Sequence, residues 1–126
     1  MIDIEKQVAY WRKGAAEDWS AAQQLVKTRK TRHGLFFARL ALEKLLKAHV
    51  CRQTKDLAPP IHNLIRLGQL SGLVLNQKQM DVLAEMNAFN IEGRYPESLA
   101  QAPSVTEAKA YLSRTKGVMQ WLTKQF

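Results

Sequence analysis

Apolar residues recur every three or four positions along most of this chain, which is the spacing of one face of an α-helix. A first such run extends from about Asp3 to Thr28, and a second from about Gly34 to Gln53. The second run is the more apolar of the two, so we expect its helix to lie at the centre of the fold. Residues 27–33, KTRKTRH, lie between the runs and contain four cations and a histidine.

Three further helices are predicted in the second half of the chain. A short one spans about His62 to Gln69 and ends before Gly72, a residue suited to the left-handed conformation of a helix terminus. A fourth covers about Gln77 to Ile91, and a fifth runs from about Val105 to Lys124 behind a capping box, SVTE, at residues 104–107. No segment alternates with a period of two. We therefore predict an all-α fold, an up-and-down antiparallel four-helix bundle plus one short helix.

Length and composition indicate one domain covering residues 1–126, with 46% hydrophobic and 24% charged residues. The formal net charge of +8 favours anionic partners, namely nucleic acid, nucleotides or an acidic protein, although excess lysine and arginine also serve solubility. Cys51 is the single cysteine, so no internal disulfide forms. The first residues contain no apolar signal-peptide core, and no window approaches a membrane span. We expect a cytoplasmic protein that does not cross a membrane.

Charged residues on the second predicted helix are the first candidates for a site. Arg39, Glu43 and Lys47 are spaced i, i+4 and i+8, so they share one strip of the helix. Either the strip is solvated, with ion pairs worth roughly 0.2–0.5 kcal/mol each, or Glu43 and Lys47 are partly enclosed and face a groove. His62 opens the short helix, where it or Asn63 can bond to free amides of the first turn. As a general base, His62 needs a substrate hydroxyl within reach.

The stretch FNIEGRYPES, residues 89–98, contains the second group of candidates. Gly93 and Pro96 are explained by a helix end, because glycine permits the required backbone angle and proline prevents continuation. Arg94 and Tyr95 are not explained in this way. A guanidinium beside a phenol on a rigid turn suits phosphate binding and base stacking. It equally suits a tyrosine packed over the end of the bundle.

The motifs FFARLALEKLLKAHV, PPIHNLIRL and FNIEGRYPES, in this order, resemble the HEPN domain ("higher eukaryotes and prokaryotes nucleotide-binding"), especially its small stand-alone prokaryotic members. The resemblance covers about residues 5–124. It implies a bundle of four main helices plus a short one, a homodimer, and a minimal nucleotidyltransferase as partner. Three tryptophans at helical spacing are expected in the core or in a subunit interface: Trp11, Trp19 and Trp121.

Some branches of that family are ribonucleases of toxin–antitoxin systems with an R-x4–6-H motif across the dimer interface. No arginine of this chain has a histidine at that distance; Arg29 and His33, for example, enclose only three residues. The nuclease activity is therefore not transferred, and whether the chain is an enzyme stays open. The chain also lacks a glycine-rich phosphate loop, a two-metal carboxylate signature and HExxH, so we expect no cofactor and no metal.

Three functional hypotheses follow. In the first, the chain binds a nucleotide or nucleic acid in a groove whose residues the resemblance implies: Glu43, Lys47, His62, Arg94 and Tyr95. In the second, it is a metal-independent ribonuclease with a non-standard site, in which His62 is the base and Arg66 stabilises phosphate. In the third, it is a purely protein-binding subunit. The same five residues also suit purely structural roles, as an ion pair, a helix cap and a turn.

Overall fold

Five α-helices make up most of the computed structural model of this chain, which describes residues 1–90 and 102–126. They are α1 (Ile4–Lys27), α2 (Thr31–Thr54), α3 (Leu64–Leu70), α4 (Gln77–Met86) and α5 (Val105–Lys124). No strand occurs in the described residues, and the predicted all-α class is confirmed. None of the helices in these two ranges combines the length and apolarity needed to cross a membrane.

Local hydrogen bonds account for several helix starts that the sequence predicts. The Asp3 side chain accepts a bond from the Lys6 amide at 3.1 Å, and α1 begins directly after it. At α5, Ser104 Oγ accepts from the Glu107 amide at 3.1 Å, while Glu107 Oε1 accepts from the Ser104 amide at 2.8 Å. The SVTE capping box is therefore confirmed. The hydrogen bonds from Ser104 lower the pKa of the Glu107 carboxyl, because they favour its ionised form.

Contacts between helices set the boundaries that the sequence pattern misses. α2 begins at Thr31, three residues before Gly34, and Thr31 Oγ1 donates to the Pro103 carbonyl at 2.7 Å. Gly34 thus lies inside the helix, where α1 approaches so closely that a Cβ atom would meet Val26 Cγ2 at 2.6 Å. The start of α2 depends on groups far away in the chain, which helical periodicity does not report.

Two shorter helices also differ from their predicted ranges. α3 begins at Leu64 and not at His62, because Asn63 Oδ1 accepts from the Arg66 amide at 3.0 Å and so occupies the N-cap. Gly72, after α3, has a φ of +78°, the left-handed conformation that the sequence predicts. α4 ends at Met86, five residues before Ile91.

The core is built around α2, which packs against α1, α3 and α5, while α4 packs against α3 and α5. Of the 24 residues of α2, 15 are buried, so the helix is enclosed on nearly all sides. Its central position is the one predicted from its apolar composition. Because α2 is enclosed in this way, several of its polar side chains are buried as well, and Arg39, Glu43 and Lys47 are among them. The largest fully buried side chains of the core are leucines: Leu35, Leu42, Leu46, Leu64, Leu67, Leu83 and Leu122.

Candidate functional site: a buried ionic cluster around Glu43

The charged strip on α2 is buried. Arg39, Glu43 and Lys47 are only 4%, 4% and 5% exposed, so the solvated strip considered from the sequence is wrong. Their spacing does place them in one row, as predicted, but α1 and the segment before α3 cover that row. The energy of an exposed i, i+4 pair does not apply here, because burial removes both the water and the screening that make such pairs weak.

Glu43 is the centre of this arrangement. Its Oε1 atom lies 3.0 Å from Arg39 Nη2, and its Oε2 atom lies 3.1 Å from Lys47 Nζ. The same Oε2 atom lies 3.1 Å from His62 Nδ1, across 19 residues of sequence. We call these four residues the Glu43 cluster. One carboxylate thus serves three partners, two from its own helix and one from the loop before α3.

His62 reaches Glu43 because its backbone is also held. Arg39 Nη2 donates a hydrogen bond to the His62 carbonyl at 2.9 Å, so the same guanidinium contacts both Glu43 and the loop. Asn63 caps α3, and the Leu64 amide donates to Asn87 Oδ1 at 2.9 Å, which ties the start of α3 to the end of α4. His62 is therefore free of the capping role that the sequence left open for it, and its ring is directed to Glu43.

The cluster carries more positive than negative charge. Two permanent cations, Arg39 and Lys47, face one carboxylate, and the three side chains are 5–7% exposed. Lys47 Nζ lies 5.3 Å from the centre of the Trp11 ring, a cation–π distance at which the ring face attracts the ammonium group. Two buried donors, Arg39 Nε and Trp11 Nε1, and one buried acceptor, Glu43 Oε1, have no hydrogen-bond partner within residues 1–90 and 102–126, although Glu43 Oε1 is in the ion pair with Arg39. The imbalance of the site therefore lies in its formal charge.

The His62 ring forms the solvent-facing edge of the cluster. Its side chain is 62% exposed, whereas the other three members are nearly inaccessible. Because a carboxylate only accepts hydrogen bonds, Nδ1 is the donor in the contact with Glu43 Oε2, and Nε2 is left for a ligand. In the protonated ring Nε2 can donate a hydrogen bond to an anionic oxygen, whereas in the neutral ring Nε2 is an acceptor and can take up a proton. No group of three or more His, Cys, Asp or Glu side chains suited to a metal ion occurs in the described parts of the chain.

A sequence model of the HEPN domain matches residues 8–125. The chain belongs to the HEPN domain family. Its fold is similar to that of TT1696 from Thermus thermophilus, with a TM-score of 0.78 at 17% identity over 95% of this chain and 98% of that one. It is also similar to ST0689, an archaeal HEPN homologue, with a TM-score of 0.74 at 14% identity over 99% of this chain and 98% of that one. At these identities the likeness shows the fold alone. No curated protein matches the chain.

Three of the five residues that the HEPN resemblance singled out meet in the Glu43 cluster: Glu43, Lys47 and His62. The other two, Arg94 and Tyr95, lie outside the described residues. Sequence reasoning missed the link from Arg39 to His62 and the role of Trp11 beneath Lys47. The surrounding pattern contained a signal for the first of these, because charges on a helix that is expected at the centre of the fold need buried partners.

Proposed function

We propose that this HEPN domain protein is a dimeric cytoplasmic module that binds a nucleotide or nucleic acid and acts with a minimal nucleotidyltransferase partner, as in toxin–antitoxin pairs. The observation that carries the proposal is the excess positive charge of the Glu43 cluster, which opens to solvent at His62. An anionic oxygen that accepts a hydrogen bond from Nε2 of the protonated His62 ring would offset that charge. Phosphate is the anion that nucleotides and nucleic acids share.

Within this proposal the members of the cluster act differently. Lys47 is held between Glu43 and the Trp11 ring, so it contributes its charge from a distance and does not contact the ligand. Glu43 orients the imidazole of His62, and His62 meets the phosphate. Arg94 is proposed to bind a phosphate oxygen, and Tyr95 to stack on a base or donate its hydroxyl.

A second basic surface supports a polyanionic ligand. A cavity of about 610 Å³ beside the turn between α1 and α2 is lined by Arg29, Lys30, Arg32 and His33, together with the aromatic ring of Phe37. Cations beside an aromatic ring are typical of surfaces that hold a phosphate backbone and stack a base. With a net charge of +8 on the whole chain, this surface also favours fast encounter with nucleic acid.

Thermal unfolding with ligand tests the proposal. Nucleoside triphosphates and a short RNA are added separately to wild type, Arg94→Ala, His62→Ala and the control Arg114→Ala, whose guanidinium pairs with Glu85 on another surface. A ligand at about 100 times its Kd stabilises by about 2.7 kcal/mol. At about 4 °C per kcal/mol for this chain length, the Tm rises by roughly 10 °C. Arg94→Ala and His62→Ala should lose this shift and Arg114→Ala should keep it. An unmoved wild-type Tm with every ligand refutes the proposal.

One observation favours the ribonuclease hypothesis as a second candidate. The Glu43 Oε2–His62 Nδ1 hydrogen bond of 3.1 Å orients the ring as a general base requires, and Arg66 lies in the first turn of α3, exposed to solvent. The absent R-x4–6-H motif counts against it. Labelled RNA is incubated in EDTA with wild type, His62→Ala and the control Arg114→Ala. Cleavage that only His62→Ala abolishes supports the enzyme; no cleavage, or equal cleavage by all three, removes it.

The proposed homodimer is tested separately, by measuring the mass of the protein in solution. Light scattering coupled to gel filtration should give twice the chain mass of 14.4 kDa across the micromolar range. A monomer at all concentrations contradicts that part of the proposal and leaves ligand binding to be judged separately.

A further inference from the structure

A groove between α1 and α5 is lined by none of the four residues of the Glu43 cluster. Its volume is about 690 Å³, and its floor is apolar. Ala15, Leu45 and Met119 form the buried part of that floor, with exposed fractions of 1%, 3% and 8%, and half-buried Trp19 closes one side. A hydrophobic groove is one of the surfaces into which an amphipathic helix of another chain can lay its apolar face.

All of the charged residues described at the rim of the groove are cations. Arg12 and Lys13 lie along α1, and Lys116 and Lys124 lie along α5. No carboxylate is among the lining residues in the described parts of the chain. None of the four cations forms an ion pair within residues 1–90 and 102–126, and the guanidinium of Arg12 lies over the Phe126 ring at 4.2 Å. Their positive charge is therefore not neutralised by described neighbours.

The lining residues of each wall have helical spacing. On α1 the lining runs from Arg12 to Trp19, and on α5 from Lys116 to Lys124. At about 1.5 Å per residue, these two stretches extend for roughly 10–12 Å. That length matches about two turns of a third α-helix. A helix in such a groove places apolar residues at i, i+3 or i+4, and i+7 on the floor and directs its flanking side chains to the rim.

We infer that this groove docks an amphipathic helix of a partner protein, with leucine-like anchors on its apolar face and aspartate or glutamate on both flanks. The carboxylates would pair with the four cations, and the anchors would cover Leu45 and Met119. This inference does not rest on nucleotide binding at His62, and it names a surface for the protein-binding role considered from the sequence.

Other occupants fit the groove less well. A second copy of the chain would bring another strongly basic molecule, also of net charge +8, against the same four cations, and like charges across an interface are unfavourable. Single-stranded RNA would satisfy the rim, but its charged backbone would not cover the apolar floor formed by Ala15, Leu45 and Met119. An acidic helix satisfies both the rim and the floor.

Peptide binding tests the inference. The probe is a fluorescein-labelled helical peptide of about three turns, with leucines at i, i+3, i+4 and i+7 and glutamates on both flanks. A peptide of the same composition in scrambled order is the control. Fluorescence anisotropy should show at least about tenfold tighter binding of the ordered peptide, and weaker binding at about 0.5 M salt than at about 0.05 M. Equal binding of the two peptides overturns the inference.

Charge reversal then locates the interface. Lys116→Glu/Lys124→Glu should weaken binding by at least about tenfold. The matched control Lys78→Glu/Lys109→Glu, on exposed lysines outside the groove, should change it by less than about threefold. A peptide with lysine flanks should bind the groove variant better than it binds wild type. Equal losses in both variants overturn the inference, because the attraction is then only the overall charge.

Further measurements distinguish an acidic helix in this groove from a nucleic acid or a second copy of the chain. His62→Ala should leave peptide binding unchanged, so that failure of the groove and failure of the proposed nucleotide site are distinguishable. If Lys116→Glu/Lys124→Glu abolishes binding of a single-stranded RNA while wild type ignores the peptide, the groove is a nucleic-acid surface and the inference is wrong. If the same variant converts a wild-type dimer to a monomer, the groove is an interface between copies, which also overturns it. Circular dichroism melts confirm that each variant is folded.

Discussion

Replacing Glu43 by glutamine should destabilise this protein far more than the same change on its surface. Glutamine keeps the size of the side chain but removes the charge that faces Arg39 and Lys47, both within 3.1 Å of the carboxylate. Those two cations are 5% and 7% exposed at their side chains, so water does not replace the lost partner. His62, which is largely exposed, can turn to solvent and adds little to the cost.

The magnitude follows from this burial. Removing one partner of a buried ion pair costs about 3–5 kcal/mol, because an uncompensated charge stays in a poorly solvated place. Since domains of this kind are stable by only about 5–15 kcal/mol, the loss is a large fraction of the total. At about 4 °C per kcal/mol, the Tm of Glu43→Gln should fall by roughly 12–20 °C.

The matched control is Glu85→Gln. Glu85 Oε1 pairs with Arg114 Nη2 at 2.6 Å, but the two side chains are 32% and 46% exposed, so water screens the pair. That change should cost about 0–1 kcal/mol. Urea unfolding followed by circular dichroism gives both free energies, and equal m-values confirm that the two variants unfold from comparably compact states.

A third variant separates lost charge balance from lost packing. Arg39→Met/Glu43→Leu/Lys47→Met replaces the buried charges by apolar side chains of similar size, and such replacements are often neutral or stabilising. We expect it to be clearly more stable than Glu43→Gln. If Glu43→Gln costs less than about 1 kcal/mol, as the surface control does, the description of the cluster as a dry and charge-imbalanced site is refuted.

Three smaller predictions concern other parts of the chain. Burial lowers the pKa of His49, with Arg52 and Arg12 adding to the effect against the 2.8 Å hydrogen bond to the Leu122 carbonyl. The unfolded chain then binds the proton more tightly than the folded one. The contribution of His49 to the free energy of unfolding should therefore be complete above about pH 6.5 and fall as the pH drops below it. Urea titrations at several pH values check this, and an unchanged slope in His49→Gln would contradict it. Burial also raises the pKa of the Cys51 thiol, so a disulfide reagent should modify it only as fast as the protein unfolds, and immediate labelling of native protein would argue against this packing. Ser104→Ala should cost about 1 kcal/mol by removing the capping hydroxyl, whereas Ser104→Asp should keep most of the stability; equal melting temperatures for wild type and Ser104→Ala would show that the cap is not needed.

The sequence alone was sufficient wherever the determining interactions are local. The range of α5 is the predicted one, because both partners of its capping box, Ser104 and Glu107, lie within three residues of each other. The Asp3 cap of α1 and the left-handed conformation of Gly72 after α3 likewise depend only on residues close by in the sequence. The central place of α2 also follows from the sequence, since the helix with the broad apolar stripe has the most apolar surface to bury.

Only the tertiary structure decided what covers each helix face. Helical spacing puts Arg39, Glu43 and Lys47 in one row, but it does not report whether water or protein lies over that row. His62 comes to Glu43 from 19 residues away, brought by the loop before α3, and the Thr31–Pro103 bond spans 72 residues. Periodicity and capping report interactions within about one helical turn, whereas the charge balance of a site depends on chain segments that meet only after folding.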